Sequence, residues 1–269
     1  MKLAYLIIAH NEFEVLRRLV AALDGSDCDF FIHFDKKVKE LPAISLKESS
    51  LHILSDRVDV RWGTESQILS EYALWEEAAK YGPYDHYVLL SGTHFPLMSR
   101  DQVRQFFESK RGVSLFPYME QANDYQIDMK MCRYNFLPGT FIWKAMLKLQ
   151  RVLGIERNKR EKFYNAGNWA CLTEDAVRYL LAGKNNILKK YRWTFCGDEF
   201  FGPTELLASP LAGNVEFSKH LLKFEIGRSN ARTYTIDDYD ELMASGCVFA
   251  RKFSGECYEV LDKLGIVIG

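Results

Sequence analysis

KLAYLIIA, residues 2–9, begins with a lysine and continues as an unbroken apolar run near the start of the chain. Such a run is typical of a parallel strand that is covered on both faces. A helical pattern opens directly after Asn11 and Glu12. Its apolar positions fall on one face: Val15, Leu16, Leu19, Val20 and Leu23. The order of strand, turn and helix indicates an α/β protein.

The same alternation continues through the first half of the chain. We predict strands over 29–35, 51–54 and 84–92, the first of them ending on Asp35, and a long helix over 66–79. The second half is less regular, although Thr173, Glu174 and Asp175 indicate a helix start. No linker or repeat divides the 269 residues, so we expect a single domain, 1–269.

Composition excludes several classes of protein. Hydrophobic residues make up 48% of the chain, which is enough for a large core. The formal net charge is -1, so no overall field would attract polyanions, and we expect no nucleic-acid partner. The apolar run at 3–9 is too short for a membrane span and is followed by no small-residue cleavage site. We therefore expect a cytoplasmic protein.

Residues suited to metals or redox chemistry show no organised pattern. The six cysteines form no C-x-x-C pair, which favours reduced thiols over a zinc site. Two Asp-x-Asp runs exist, but 27–29 precedes its strand and 238–240 begins a predicted helix. Neither stands directly after a strand, where a divalent ion would be held. We expect no metal and no other cofactor.

Common nucleotide and hydrolase motifs are missing from the sequence. There is no G-x-G-x-x-G, no G-x-x-x-x-G-K-[ST] and no G-x-S-x-G. Dehydrogenase, P-loop and α/β-hydrolase functions therefore lose support. A nucleotidyltransferase would need a metal, and the placement of the Asp-x-Asp runs argues against it.

A basic amphipathic stretch covers 141–163. Ile142, Met146, Leu149 and Leu153 form one apolar stripe, and seven lysines and arginines in the same stretch supply the opposite character. This pattern favours a helix packed on the sheet. The alternative is a peripheral contact with a membrane surface or with an anionic acceptor.

An ordered set of motifs resembles the core-2/I-branching β-1,6-N-acetylglucosaminyltransferase family, which includes the peptide O-xylosyltransferases. The matching segments are 4–11, 32–37, 60–63 with Ser66, 89–97, 167–173, 197–201 and 249–253. The resemblance implies a GT-A type fold, with a nucleotide-sugar half at about 1–115 and an acceptor and diphosphate half at about 116–269. It also implies inverting transfer from a UDP-sugar without a metal, in a bacterial-type member of the family.

The resemblance assigns the residues that carry the chemistry. Glu199 matches the general base, which takes the proton of the acceptor hydroxyl. Arg251 and Lys252 match the diphosphate site, where fixed cations offset the charge of the leaving group. A second basic residue is expected there, from Arg228 or Arg232. On local pattern alone, Arg251 and Lys252 would fit an edge strand with outward charges.

Further positions are assigned to the two substrates. Asp35, His10 and Trp62 are predicted to bind the nucleotide sugar, since carboxylates accept hydrogen bonds from ribose and flat rings stack on bases or sugars. His94, Trp169 and Asp198 lie in the matching motifs and are predicted to bind the acceptor or the transferred sugar. His94 replaces the aspartate that is common in the family. Packing and helix-terminal roles remain open for all of these residues.

The function that follows is transfer of N-acetylglucosamine or xylose from a UDP-sugar to a glycan or lipid-linked glycan. We expect this reaction in bacterial surface polysaccharide synthesis at the inner face of the membrane. The alternative is a carbohydrate- or nucleotide-sugar-binding protein that kept the fold without catalysis.

Overall fold

The computed structural model describes residues 1–159, 161–225 and 231–268. Its strands are β1 (Leu3–Ala9), β2 (Cys28–Phe34), β3 (Ser50–Ile53), β4 (His86–Ser91), β5 (Phe95–Pro96), β6 (Ser114–Pro117), β7 (Cys171–Leu172), β8 (Val215–Ser218), β9 (Leu222–Phe224) and β10 (Phe249–Arg251). Its helices are α1 (Phe13–Leu23), α2 (Glu65–Ala78), α3 (Arg100–Ser109), α4 (Asp124–Met131), α5 (Phe141–Val152), α6 (Glu174–Ala182), α7 (Lys184–Tyr191), α8 (Phe201–Leu207), α9 (Tyr239–Ala244) and α10 (Tyr258–Ile268). Short 3-10 helices cover Gly197–Glu199, Ala212–Asn214, Ile236–Asp238 and Gly255–Cys257.

Seven of the described strands form one mixed sheet in the order β3-β2-β1-β4-β7-β6-β8. Strand β7 is antiparallel to both of its neighbours, and the other pairs are parallel. Strands from both halves of the chain therefore share the sheet. The predicted α/β class with a mixed sheet is confirmed. A smaller sheet, β5-β10-β9, lies beside it.

The predicted elements of the first half are confirmed with shifts of a residue or two. All five apolar positions predicted for α1 are buried in the helix. Leu16, Leu19, Val20 and Leu23 belong to a core on one face of the large sheet, together with residues of α3, whereas Val15 packs in a separate cluster with residues of α10. Helices α2, α6, α7 and α8 supply a second core on the opposite face. Burial on both faces explains why β1 and β2 are apolar throughout.

Thr173 caps α6 as predicted, because its side chain accepts a hydrogen bond from the backbone N–H of Ala176. The six cysteines are free thiols. Among the described residues, no helix is long and apolar enough to cross a membrane.

Two local interpretations differ from the structure. Arg251 is not on an edge strand, because β10 lies between β5 and β9. The stripe of α5 does not pack on the sheet either: Ile142 and Leu149 are exposed, and Leu147 and Gln150 face inward instead. In both places the local pattern indicates an element, but the neighbouring elements decide which face is covered.

Candidate active site

Four of the predicted nucleotide-sugar residues lie near one another at the edge of the large sheet where β1, β2 and β4 end: Asp35, His10, Arg251 and Lys252. The backbone N–H of Asp35 donates to the carbonyl of Ala9, and that of Gly92 donates to the carbonyl of Ile8, each at 2.9 Å. The ends of the three strands are therefore joined. Ligands of open α/β sheets bind at this carboxyl edge.

Asp35 is buried directly after β2. Its Oδ1 accepts a hydrogen bond from the backbone N–H of Lys37 at 2.8 Å, and its Oδ2 lies 3.0 Å from Lys37 Nζ. The lysine also contacts Asp59 at 3.0 Å. His10 is exposed nearby, within electrostatic range of Asp35, Lys252 and Arg251. The carboxylate is thus fixed in place beside the end of β1.

His94 follows β4 in a tight loop and is fully buried. Its Nδ1 accepts a hydrogen bond from the backbone N–H of Ser91 at 2.9 Å, which assigns the proton of the neutral ring to Nε2. Burial and the nearby charge of Arg251 hold the pKa of His94 well below its usual range. Among the described residues, Nε2 has no hydrogen-bond partner. His94 is therefore a neutral donor.

Arg251 ends β10 and lies between two aromatic rings. Its guanidinium carbon is 4.8 Å from the ring centre of Trp169 and 5.4 Å from that of Phe224. The ring of Trp169 also meets His94, at 5.0 Å between ring centres. Burial lowers the pKa of Arg251 to about 10. No carboxylate of the described residues forms an ion pair with it, so this cation is uncompensated.

Lys252 follows Arg251, and its backbone joins two neighbouring segments. Its N–H donates to the carbonyl of Arg232 at 3.2 Å, and its carbonyl accepts from the N–H of Tyr234 at 2.9 Å. The guanidinium of Arg232 is itself paired with Glu225 and Asp238. A diphosphate would have to compete with both carboxylates for Arg232. Arg228 lies outside the described residues.

The predicted base, Glu199, ends the 3-10 helix Gly197–Glu199. Its Oε2 lies 2.9 Å from Nζ of Lys130, which projects from α4. The Glu199 side chain is 31% exposed, so a substrate hydroxyl can reach it. Burial alone lowers the pKa of Lys130, but the charge of Glu199 and its hydrogen bond outweigh this effect, and the net pKa is raised. Lys130 therefore carries a positive charge at neutral pH.

The segment before Glu199 is held in an unusual conformation. Cys196 has a φ of 50°, which is uncommon outside glycine. Its N–H donates to the carbonyl of Gly63 at 3.0 Å. Gly63 has a φ of 74°, and a Cβ there would lie 2.5 Å from the ring of Phe195, so only glycine fits. The exposed ring of Trp62 packs edge-on against the same Phe195 ring.

Asp198 is buried and points into the protein. Its Oδ2 accepts a hydrogen bond from Gln67 Nε2 at 2.8 Å, while its Oδ1 has no partner among the described residues. Burial and the charge of Glu199 raise the pKa of Asp198 to about 7. Glu71 of α2 is buried near it, and burial followed by the charge of Asp198 raises the pKa of Glu71 as well. The acceptor role predicted for Asp198 stays a prediction.

The site thus consists of two groups of residues. The first contains Asp35, His10, His94, Trp169, Arg251 and Lys252. The second contains Glu199, Asp198, Trp62 and Lys130. Residues 166–169 connect them, because the N–H of Ala166 donates to the carbonyl of Glu199 at 2.9 Å and Trp169 follows three residues later.

Both Asp-x-Asp runs take part in contacts within the protein. Asp29 accepts a hydrogen bond from the hydroxyl of Tyr84 at 2.6 Å and pairs with Lys2 at 2.7 Å. Asp238 caps its 3-10 helix and pairs with Arg232. In the described part of the chain, no group of three or more His, Cys, Asp or Glu side chains is arranged to hold a metal ion.

Sequence reasoning missed Lys130, Gln67 and Glu71. Lys130 lies 69 positions before Glu199, outside all the matching segments, and no local pattern connects the two. Gln67 and Glu71 lie on α2. The available signal in the sequence was that Glu71 falls among the apolar positions of this helix. Lys130 contacts Glu199, and Gln67 contacts Asp198, across long stretches of sequence, so these contacts exist only in the folded chain.

The comparisons with known proteins identify the family of the chain. The sequence model of the Core-2/I-Branching enzymes matches residues 3–242. A protein with this match is a glycosyltransferase. The chain belongs to the Core-2/I-Branching enzyme family.

The chain was also compared with curated protein sequences and with solved structures. A search of curated protein sequences finds no match. Among solved structures, the chain is similar to mouse xyloside xylosyltransferase 1 in its apo form, with 10% sequence identity and a TM-score of 0.41. The similarity covers 92% of this chain and 97% of the mouse chain.

Proposed function

We propose that the protein transfers a sugar from a UDP-sugar to a hydroxyl of a glycan, with inversion and without a metal ion. The observation that carries this proposal is the half-buried guanidinium of Arg251 at the carboxyl edge of the sheet, which forms no ion pair with any described residue. A buried cation without a partner is costly, and an anionic ligand such as a diphosphate offsets that cost. N-acetylglucosamine and xylose are the donor sugars that the resemblance implies.

The chemistry assigns one role to each group. Glu199 accepts the proton of the acceptor hydroxyl as its oxygen attacks the anomeric carbon, and the bond from that carbon to the diphosphate breaks. Negative charge then grows on the departing UDP. Arg251 and Lys252 stabilise it from fixed positions, which costs no reorganisation during the reaction.

Metal independence is part of the proposal. Fixed cations can take the place of a divalent ion at a leaving diphosphate, and Arg251 and Lys252 lie next to each other in the chain. The engagement of Asp29 and Asp238 in internal contacts supports this view. We further propose a glycan or lipid-linked glycan acceptor, in bacterial surface polysaccharide synthesis at the cytoplasmic face of the membrane.

Calorimetric titration tests the donor site. UDP, UDP-N-acetylglucosamine and UDP-xylose are titrated in excess EDTA into the wild type and two variants, Lys252→Ala and Lys47→Ala. Lys47 is an exposed lysine outside the candidate site, so Lys47→Ala serves as the control. We expect binding in EDTA that Lys252→Ala weakens about tenfold and Lys47→Ala leaves unchanged. Binding that appears only with Mg²⁺ or Mn²⁺ would overturn metal independence. Product formation with a glycan acceptor then separates an enzyme from a binding protein.

A further inference from the structure

Helix α5 presents a broad apolar surface to solvent. Five large side chains form this outer face, with exposed fractions between 50% and 85%: Phe141 at 85%, Val152 at 75%, Leu153 at 60%, Ile142 at 56% and Leu149 at 50%. At 100° per residue they cover about a third of the helix circumference. Contiguous apolar patches of this kind mark interaction sites on proteins.

The inward contacts fix which face of α5 is exposed. Trp143 Nε1 donates to Asn135 Oδ1 at 2.7 Å. Gln150 accepts from the N–H of Tyr134 at 2.8 Å and donates to its carbonyl at 2.9 Å. Leu147 is buried on the same side. The helix cannot turn its outer face inward without breaking these hydrogen bonds.

The charges of α5 that have no partner among the described residues are all positive. No Asp or Glu occurs from 129 to 155, while five lysines and arginines do: Lys130, Arg133, Lys144, Lys148 and Arg151. Lys130 pairs with Glu199, and both arginines pair with Asp128. Lys144 and Lys148 are exposed and form no ion pair with any described residue. They flank the apolar side chains on the helix.

We propose that the outer face of α5 binds the surface of a membrane that contains anionic lipids. The apolar side chains would enter the boundary between headgroups and acyl chains, with the helix parallel to the membrane plane. Lys144 and Lys148 would reach the anionic headgroups from its flank. This proposal goes beyond the transfer reaction and does not depend on it.

A second copy of the chain fits this face less well. A twofold dimer through α5 would bring Lys144 and Lys148 of one copy close to the same residues of the other. No carboxylate between 129 and 155 is available to offset that repulsion. An anionic lipid surface covers the apolar side chains and supplies the opposite charge as well.

Membrane contact would also place the candidate active site near the lipid surface. The ring of Trp143 packs against Phe195 at 5.0 Å between ring centres, and Phe195 stands four residues before Glu199. Phe195 also contacts Trp62. If the proposed function holds, a glycan on a membrane lipid would thus be presented beside the base.

Vesicle sedimentation tests the proposal with the full chain. Wild type, Phe141→Ser/Val152→Ser and Lys144→Gln/Lys148→Gln are mixed with phosphatidylcholine vesicles, with and without phosphatidylglycerol. We expect the wild type to bind the anionic vesicles preferentially. Each double variant should lower that binding about tenfold or more, through lost apolar burial or lost attraction.

Matched controls are available elsewhere on the surface. Ile266→Ser removes a side chain that is 83% exposed on α10, and Lys39→Gln/Lys47→Gln removes two exposed lysines. Both controls should bind vesicles like the wild type. Circular dichroism of every variant reports on folding, and UDP titration reports separately on the donor site.

Three results would overturn the proposal. The first is a wild type that sediments equally with and without anionic vesicles. The second is an Ile266→Ser variant that loses binding as strongly as Phe141→Ser/Val152→Ser. The third is a wild-type dimer by light scattering that Phe141→Ser/Val152→Ser converts to a monomer, with no vesicle binding by either protein.

Discussion

Lys130 Nζ lies 2.9 Å from Glu199 Oε2, and this ion pair joins α4 to the 3-10 helix that carries the candidate base. The pair holds the carboxylate in one place while leaving part of it exposed. A fixed and accessible carboxylate suits a group that must accept a proton from a substrate.

Replacement of Glu199 tests its role as the base. Glu199→Gln keeps the shape of the side chain but cannot accept the proton, so we expect kcat to fall about 10²–10⁴-fold. The Kd for UDP should change by less than about twofold, since the diphosphate cations are untouched. Initial rates and calorimetry measure the two quantities. Glu40→Gln, at an exposed position, is the control, and a variant with normal kcat would remove Glu199 from the mechanism.

Replacement of Lys130 separates positioning from simple packing. Lys130→Met keeps the length of the side chain and removes the ammonium, so Glu199 loses the partner that holds its carboxylate in place. We expect kcat to fall about tenfold while the Kd for UDP changes by less than about twofold. Lys130→Arg should restore most of the rate. An equal loss of rate in Lys130→Met and Lys130→Arg would contradict the positioning role.

Arg251 is expected to lower the free energy of unfolding of the unliganded protein and to increase its affinity for UDP. Arg251→Met removes a half-buried, uncompensated charge, so the unliganded protein should gain about 1 kcal/mol and about 2–4 °C in Tm. The same change should weaken UDP binding about tenfold or more. Differential scanning calorimetry and titration give both numbers.

Arg232→Met is the matched comparison for Arg251. Its guanidinium is exposed and already paired with Glu225 and Asp238, so we expect no gain in Tm. A loss of UDP affinity in Arg232→Met would assign the second diphosphate cation to this residue. If Arg251→Met bound UDP normally, the diphosphate site would have to lie elsewhere.

Asp198 makes the stability of the protein depend on pH. Its pKa is near 3.9 in an unfolded chain and about 7 in the fold, so the folded state binds the proton more tightly. The free energy of unfolding should therefore fall as pH rises from about 4 to about 7. Asp198→Asn abolishes this contribution and can still accept the hydrogen bond from Gln67.

The measurement is urea unfolding of wild type and Asp198→Asn at several pH values. We expect the variant to be about 1–3 kcal/mol more stable at about pH 8, with little difference at about pH 4. Gln67→Leu in the same series removes the donor to Asp198. A constant difference between wild type and Asp198→Asn across this range would show that the aspartate does not titrate as described.

The sequence by itself determined the α/β class, the first strands and helices and the family. Five apolar residues predicted the buried face of α1 because a helix repeats every 3.6 residues. KLAYLIIA predicted a strand covered on both faces because successive side chains of a strand point to opposite faces and those after the lysine are all apolar. Motifs such as 197–201 and 249–253 identified Glu199, Arg251 and Lys252 as candidates. All of this information is local, so it can be obtained from the sequence without the tertiary structure.

Only the tertiary structure decided which charges are paired and which helix face is covered. Arg232 is neutralised by two carboxylates while Arg251 has none among the described residues, although both are basic residues in similar sequence settings. Lys130 meets Glu199 across 69 positions, and α5 turns Leu147 inward and Phe141 outward. The physical reason is that ion pairing and burial depend on distances between elements far apart in the chain, which packing sets and local periodicity does not record.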